Sequence, residues 1–435
     1  MADLRTRFVG IDSPNPFWLA SAPPTDKAYN VNRAFEAGWG GVVWKTLGEE
    51  GPPVVNVSGP RYGAIHSADR RVIGFNNIEL ITDRPLQTNL REIAQIKRDW
   101  PDRAMVVSLM VPCEEAAWKA ILPMAEDTGA DGIELNFGCP HGMSERGMGS
   151  AVGQVPAYIQ MVTAWCKHYR KLPVIVKLTP NITDVRQPAR AAKAGGADAV
   201  SLINTINSIM SVDLERLVMS PATGGMGSHG GYCGPAVKPI SLSMVAEIAR
   251  DPVTRGLPIS GIGGIGNWRD AAEFIALGCG TVQVCTAAML YGFKIVQDMI
   301  DGLADYMDSH GHATLASFQG RAVSSVTDWQ HLNLNHTEKA VINQDLCIQC
   351  GRCHVVCEDT SHQAITSTKN GARWFEVKDD ECVGCNLCVV VCPVPQCISL
   401  KQVMPGEIDA RTHAVVSAEA LPWTAHPNNP MRQGV

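Results

Sequence analysis

The chain has 435 residues, 45% of them hydrophobic, and a formal net charge of −6. That length supports one large core and a second small one, and an acidic balance without a long basic run argues against nucleic acid as a partner. No stretch approaches the ~20 apolar residues of a membrane span, and the first ten residues lack the apolar core of a signal peptide, so the expectation is a cytoplasmic protein without membrane contact.

From residue 1 to about 315, short apolar runs alternate with segments of helical period. The runs predict strands at Phe17–Ser21, Gly41–Lys45, Met105–Leu109, Gly132–Asn136, Val174–Lys177, Ala199–Ile203, Pro258–Gly261 and Thr281–Val284. Between them, Glu114–Thr128, Asp184–Ala194, Lys238–Arg250 and Asn267–Leu277 read as helices. Buried strands alternating with helices over such a length predict a (β/α)8 TIM barrel of the α/β class over residues 1–315, with a doubly wound open sheet as the alternative.

In such a barrel chemistry gathers where strands end. The ends carry Lys45-Thr46, Asn136 followed by Cys139 and His141, Lys177, Asn204-Thr205, the glycines 261, 263, 264 and 266, and Cys285-Thr286. Singly, each is more often a snorkelling lysine, a capping amide or a buried thiol than a functional group; one rim carrying all of them points the other way. Cys139 sits in Gly-Cys-Pro-His-Gly-Met-Ser-Glu-Arg-Gly-Met-Gly, a glycine-rich loop suited to closing over a substrate, where a tuned thiol can act as general acid or base.

Gly261, Gly263 and Gly266 also satisfy G-x-G-x-x-G, but no acidic residue follows about 20 positions on to hold a ribose. The better reading is a phosphate cup after strands seven and eight, with a helix N-terminus near Asn267 favouring the anion. A mononucleotide flavin suits that cup, and Lys177 would stabilise negative charge on its reduced ring.

Residues 316–334 carry little periodic signal and read as a linker. Within 335–400 one cysteine pattern appears twice: Cys347, Cys350, Cys353 and Cys357, then Cys382, Cys385, Cys388 and Cys392 followed by Pro393. This is the spacing of a ferredoxin-like domain with two [4Fe–4S] clusters, in which the fourth cysteine of each run crosses over. Cluster one takes Cys347, Cys350, Cys353 and Cys392; cluster two takes Cys382, Cys385, Cys388 and Cys357. Disulfides would need an oxidising compartment, and zinc favours separated cysteine pairs. Glu358 replaces the proline expected after Cys357, a turn residue and not a ligand. Cys397, outside both runs, reads as a structural thiol. Residues 401–435 read as an irregular tail that packs on a partner or stays mobile.

On these residues the chain resembles the class 1 dihydroorotate and dihydropyrimidine dehydrogenases over about residues 5–400. The loop from Asn136 to Gly149 is similar to the active-site loop of the dihydropyrimidine dehydrogenases, and the two-cluster module follows in the same order as in their bacterial NAD-dependent members. The resemblance implies Cys139 as the catalytic residue, with His141 tuning the thiol or holding the loop, and Asn77, Asn136, Asn204 and Thr205 as pyrimidine ligands. It implies FMN held by Ala22, Lys45, Thr46, Lys177, Gly234, Gly263, Gly264, Cys285 and Thr286. The family often has a small polar residue where Gly138 stands here.

The implied activity is reversible reduction of the 5,6 double bond of uracil or thymine, with hydride passing between FMN and C6 and a proton between Cys139 and C5. This chain has no NAD or FAD fingerprint of its own. The resemblance therefore implies a hetero-oligomer, two copies of each chain, with a partner flavoprotein carrying FAD, further iron–sulfur centres and the NAD site. Two rivals stand beside this reading: a dihydroorotate dehydrogenase, whose substrate carboxylate calls for a cation or extra amide donors, and an FMN/iron–sulfur electron-transfer protein with no substrate.

Overall fold

The structure is a computed structural model that describes residues 2–51, 54–140, 147–370 and 372–432. It divides into two compact units, one ending at Val326 and one beginning at Thr327.

The first unit is a closed barrel of eight parallel strands. These are β1 (Phe17–Leu19), β2 (Gly41–Leu47), β3 (Ala104–Leu109), β4 (Gly132–Asn136), β5 (Val174–Lys177), β6 (Ala199–Leu202), β7 (Ile259–Ile262) and β8 (Cys279–Val284). Each pairs with its successor and β8 closes on β1. The strands are buried along their whole length, apart from the partly exposed Gly280 of β8, which is why they read as unbroken apolar runs with no alternation. Eight helices of nine residues or more among the described residues fill the crossovers and follow β8: α1 (Ala28–Ala37), α2 (Leu86–Asp99), α3 (Glu115–Glu126), α4 (Pro156–Tyr169), α5 (Arg186–Ala194), α6 (Lys238–Arg250), α7 (Trp268–Ala276) and α8 (Ile295–Ser309). Their apolar faces cover the outside of the strands in one continuous core that includes Trp39, Trp44, Trp118 and Phe274. The doubly wound alternative is excluded by closure.

A hairpin of Thr6–Phe8 and Ile11–Ser13 plugs the N-terminal mouth, where Phe8 and Ile11 pack with Trp18, Val43, Val106 and Ile175. At the other end two long crossovers build a sheet the sequence reading missed. Tyr62–His66 and Val72–Asn77 from the β2–α2 connection join Ile206–Ser208 and Gly230–Cys233 from the β6–α6 connection in a four-stranded antiparallel sheet. Part of the segment read as linker is tied to the barrel: Phe318 is buried, and the N–H groups of Gly320 and Ala322 donate to carbonyls of Ile275 and Ala276.

In the second unit, β9 (Glu338–Ile342) pairs antiparallel with β12 (Ile398–Gln402), and β10 (Ile365–Asn370) with β11 (Ala372–Val377). Two short helices, α9 (Arg352–Thr360) and α10 (Leu387–Val391), begin inside the two cysteine runs. The tail read as loose is anchored within this unit. Asp409 lies 2.7 Å from the buried Lys339 ammonium, and Leu334 and Leu421 hydrogen-bond across the chain. No described helix is long and apolar enough to cross a membrane.

Candidate active site and cluster cavities

The strand ends of the barrel surround a cleft of ≈ 1290 Å³, measured out to its opening. Every residue expected to hold flavin or pyrimidine lines it: Ala22, Lys45, Thr46, Lys177, Gly234, Gly263, Gly264, Cys285 and Thr286, together with Asn77, Asn136, Asn204, Thr205 and Cys139. They come from seven different strand ends and from the antiparallel sheet, so only barrel closure brings them to one space. His141 lies outside the described residues.

The amides form a connected wall. Asn136 Nδ2 donates to Thr46 Oγ1 at 2.9 Å, and its Oδ1 accepts from Asn204 Nδ2 at 3.0 Å and from the Gly138 N–H at 3.2 Å. Asn204 Oδ1 accepts the N–H of Thr205 at 2.8 Å. Asn77 Nδ2 donates to Gly231 O and its Oδ1 accepts the N–H of Glu79, while the same side chain faces the sulfur of Cys233. Counting what remains, Asn136 keeps one N–H, Asn204 one N–H and one lone pair, and Asn77 one lone pair, with the Thr205 hydroxyl in addition. A ring edge alternating carbonyls and N–H groups matches that inventory. Gly138 has a reason to lack a side chain: a Cβ there would lie 2.5 Å from Cβ of Asn204.

Cys139 is half-buried beside Ile81, Met110 and Met148, and its carbonyl accepts the N–H of Ser150 at 3.0 Å, which closes the base of its loop. Two further thiols face the cleft. Burial pushes Cys233 up to about 11 and Cys285 up to about 12, and Thr286 Oγ1 donates to Cys233 Sγ. Both are therefore neutral at ordinary pH.

Among the described residues, the acidic and basic side chains lining the cleft are those of Lys45, Lys177 and Glu79. Lys45 Nζ lies 2.7 Å from Glu79 Oε1 and 3.8 Å from Asp26. Glu79 also receives Arg61 at 3.0 Å and the Tyr62 hydroxyl at 3.2 Å. Burial by itself would raise the Glu79 carboxyl, but the hydrogen bonds and charges of Lys45 and Arg61 outweigh it and hold it below its ordinary value. Lys177 has its own counter-charge behind it: Nζ is 3.7 Å from Oε1 of Glu134, a fully buried carboxylate on β4. The other Glu134 oxygen accepts from Ser201 at 2.8 Å. Sequence reading missed Glu79, Glu134 and Cys233; the signal available was a carboxylate two residues past Asn77 and one two residues before Asn136.

The residues fit a flavin mononucleotide. Gly263 and Gly264 have φ of +125° and +75°, a Cβ at Gly264 would lie 2.7 Å from Lys238 Cβ, and their N–H groups have no acceptor among the described residues. Such a turn offers donors to a phosphate at close range. The expectation for the helix N-terminus is corrected: that of α7 is already closed. Asn267 Oδ1 accepts the N–H groups of Arg269 and Asp270, while Asp270 Oδ2 accepts those of Gly266 and Asn267. A phosphate placed there would face the Asp270 carboxylate, so the Gly263–Gly264 turn and the segment from Cys285 to Ala287 are the remaining donors.

In the second unit two hollows of ≈ 360 Å³ and ≈ 320 Å³ lie among the cysteines. The first is lined by Cys382, Cys385, Cys388 and Cys357, the second by Cys347, Cys350, Cys353 and Cys392. Each set takes its fourth member from the other run, because α9 and α10 carry Cys357 and deliver Cys392 across the unit. No three His, Cys, Asp or Glu among the described residues converge on a point fit for a single ion, whereas thiols spaced around a hollow suit a polynuclear cluster. N–H groups of Ala340 and Ala364 point at the sulfurs of Cys382 and Cys357. Cys397, read as merely structural, lines the second hollow, and burial pushes its thiol up.

Residues 3–307 match the family described as dihydroorotate dehydrogenase, and residues 340–400 match a 4Fe-4S dicluster domain. The NAD-dependent dihydropyrimidine dehydrogenase subunit PreA of Escherichia coli is 40% identical over 83% of this chain and 87% of its own. The chloroplastic dihydropyrimidine dehydrogenase (NADP+) of Arabidopsis thaliana is 41% identical over 79% of this chain and 82% of its own. The catalytic subunit of dihydroorotate dehydrogenase B from Pyrococcus horikoshii is 33% identical over 74% and 98%. With its closed barrel, its cleft at the strand ends and its cysteine-lined second unit, the chain belongs to the dihydroorotate dehydrogenase family of oxidoreductases, extended by a 4Fe-4S dicluster domain.

Proposed function

We propose that this chain is the pyrimidine-reducing subunit of an NAD-dependent dihydropyrimidine dehydrogenase, reversibly reducing the 5,6 double bond of uracil and thymine. The observation that carries the reading is a single cleft where Cys139, three amides and Thr205 face the same space as two buried lysines and the Gly263–Gly264 turn. FMN held at this rim would supply hydride exchange with C6 of the ring, and iron–sulfur clusters held by the cysteines of the second unit would supply one-electron transfer.

The protein's own part is orientation and proton movement. Lone pairs on Asn77 and Asn204 meet the ring N–H groups, and N–H groups of Asn136 and Asn204 with the Thr205 hydroxyl meet its carbonyls. A ring held along that edge presents one face to the Cys139 side of the cleft. Cys139 delivers a proton to C5 during reduction and removes it in the oxidative direction. Lys177 keeps positive charge on the wall, which favours the reduced, negatively charged cofactor. The cysteines of the second unit would hold clusters linking this chemistry to a partner subunit that carries FAD, further iron–sulfur centres and the NAD site, in an assembly of two copies of each chain. That the Escherichia coli relative is itself named a subunit supports a partner.

The test is anaerobic mixing of the reconstituted chain with dihydrouracil, dihydrothymine or dihydroorotate while the flavin absorbance is followed. Bleaching by the first two and not the third is expected. Bleaching by dihydroorotate alone would move the assignment to that substrate, and bleaching by none would leave an electron carrier.

A further inference from the structure

Among the described residues, the cations lining the cleft are engaged by carboxylates. Lys45 touches Glu79 at 2.7 Å with Asp26 behind it, and Lys177 stands before Glu134. Arg61, the next cation outward, is also held by Glu79. Glu79 therefore engages two positive charges on one wall while facing the cleft itself, with its side chain only 8% exposed. Its position is fixed by the backbone, because its N–H donates to Oδ1 of Asn77, one of the amides facing the ring. Glu79 and Asn77 thus line the same stretch of the cleft wall.

We propose that Glu79 sets the substrate class of this cleft: it keeps Lys45 and Arg61 from acting as anion anchors and presents its own charge, so that neutral six-membered cyclic ureides are accepted and their carboxylate-bearing counterparts are refused. The inference rests on the dihydropyrimidine reading above and supplies its electrostatic basis. The exclusion is one of charge and not of room. A like charge at contact distance in a partly desolvated site outweighs the hydrogen bonds that the carboxylate could make.

The test uses the FMN-loaded full chain and ligand-induced changes in the flavin spectrum, which report binding without turnover. Three ligands are compared: uracil, orotate, and orotamide, the neutral amide of nearly the same size as orotate. Uracil and orotamide should bind within about tenfold of each other and orotate at least about a hundredfold more weakly, since each 1.4 kcal/mol is a factor of ten. In Glu79→Gln the orotate-to-uracil ratio should rise by about tenfold or more, and in Glu79→Asp it should stay near that of the unmodified chain. Orotamide binding as poorly as orotate would make the exclusion steric and overturn the proposal, with no variant needed. An unchanged ratio in a folded, FMN-loaded Glu79→Gln would overturn it too. Orotate binding as well as uracil would do the same, whereas failure of uracil, orotamide and orotate alike to perturb the flavin would instead sink the dihydropyrimidine reading on which the inference stands.

Discussion

Replacing Glu134 by glutamine removes one charge from behind Lys177 while keeping the side chain's size and its capacity to accept from Ser201. Both partners are buried, Lys177 6% exposed at its side chain and Glu134 0%, and they lie 3.7 Å apart. At an effective dielectric constant of about 20 such a pair interacts by about 4 kcal/mol. The carboxylate opposes the help that Lys177 gives to negative charge on a reduced flavin, so its loss should favour reduction. If about a third of the pair energy reaches the cofactor, the gain is ~1.4 kcal/mol, or about 30 mV for a two-electron couple. The flavin midpoint potential should therefore rise by roughly 30 mV in Glu134→Gln, read by spectroelectrochemical titration, and sulfite, whose flavin adduct is anionic, should bind about tenfold more tightly. The FMN-free variant should lose about 3 kcal/mol of stability, because a buried ammonium is left without its partner. A potential that stays put or falls would refute the argument that Glu134 moderates Lys177.

Three further outcomes are expected. Cys139→Ala should lower turnover by about 10²–10⁴ with the flavin spectrum retained, and near-full turnover would remove the thiol from proton transfer. Cys357→Ser should abolish the cluster that shares Cys382 while Cys392→Ser abolishes the one that shares Cys347, each halving the iron content; loss of the other centre, seen by EPR, would contradict the crossed ligation. Asp409→Asn should cost the second unit about 3–5 kcal/mol, since it leaves buried Lys339 unpaired, and should speed chelator-driven loss of iron. Asp409 is a desolvated carboxyl that hydrogen bonds from Lys339, Arg411 and Thr412 nonetheless hold down to about 2, below its unfolded value. Its contribution is thus fully present above about pH 4 and lost as the pH falls toward 2, which acid titration of the cluster spectrum in wild type and variant would display.

What could be read before the fold was known was whatever is local in the chain. Eight apolar runs with helical segments between them announce a parallel barrel, because strands buried on both faces need no alternation, and the observed strands fall on the expected runs within a few residues. Cysteine spacing is equally local, and in the structure each hollow is lined by three cysteines of one run and the fourth of the other. Strand-end residues such as Lys45, Asn136, Lys177 and Asn204 were legible because a barrel delivers every strand end to one rim.

The remainder depended on contacts between distant residues. The four-stranded sheet over the rim is built from two crossovers whose strands run only three to six residues, too short for periodicity to register. The helix near Asn267 looked like an anion site until its own capping box was seen to occupy the N–H groups. The tail is held by Asp409 and Cys397 lines the second hollow, facts that composition alone does not carry. Lys45 was visible as a cation, but whether it is free to bind an anion depends on Glu79, 34 residues away, and on the sheet that positions it. Charge pairing falls off with distance in space and not along the chain, so the residue order reveals which chemical groups are present, while folding settles which of them are already engaged.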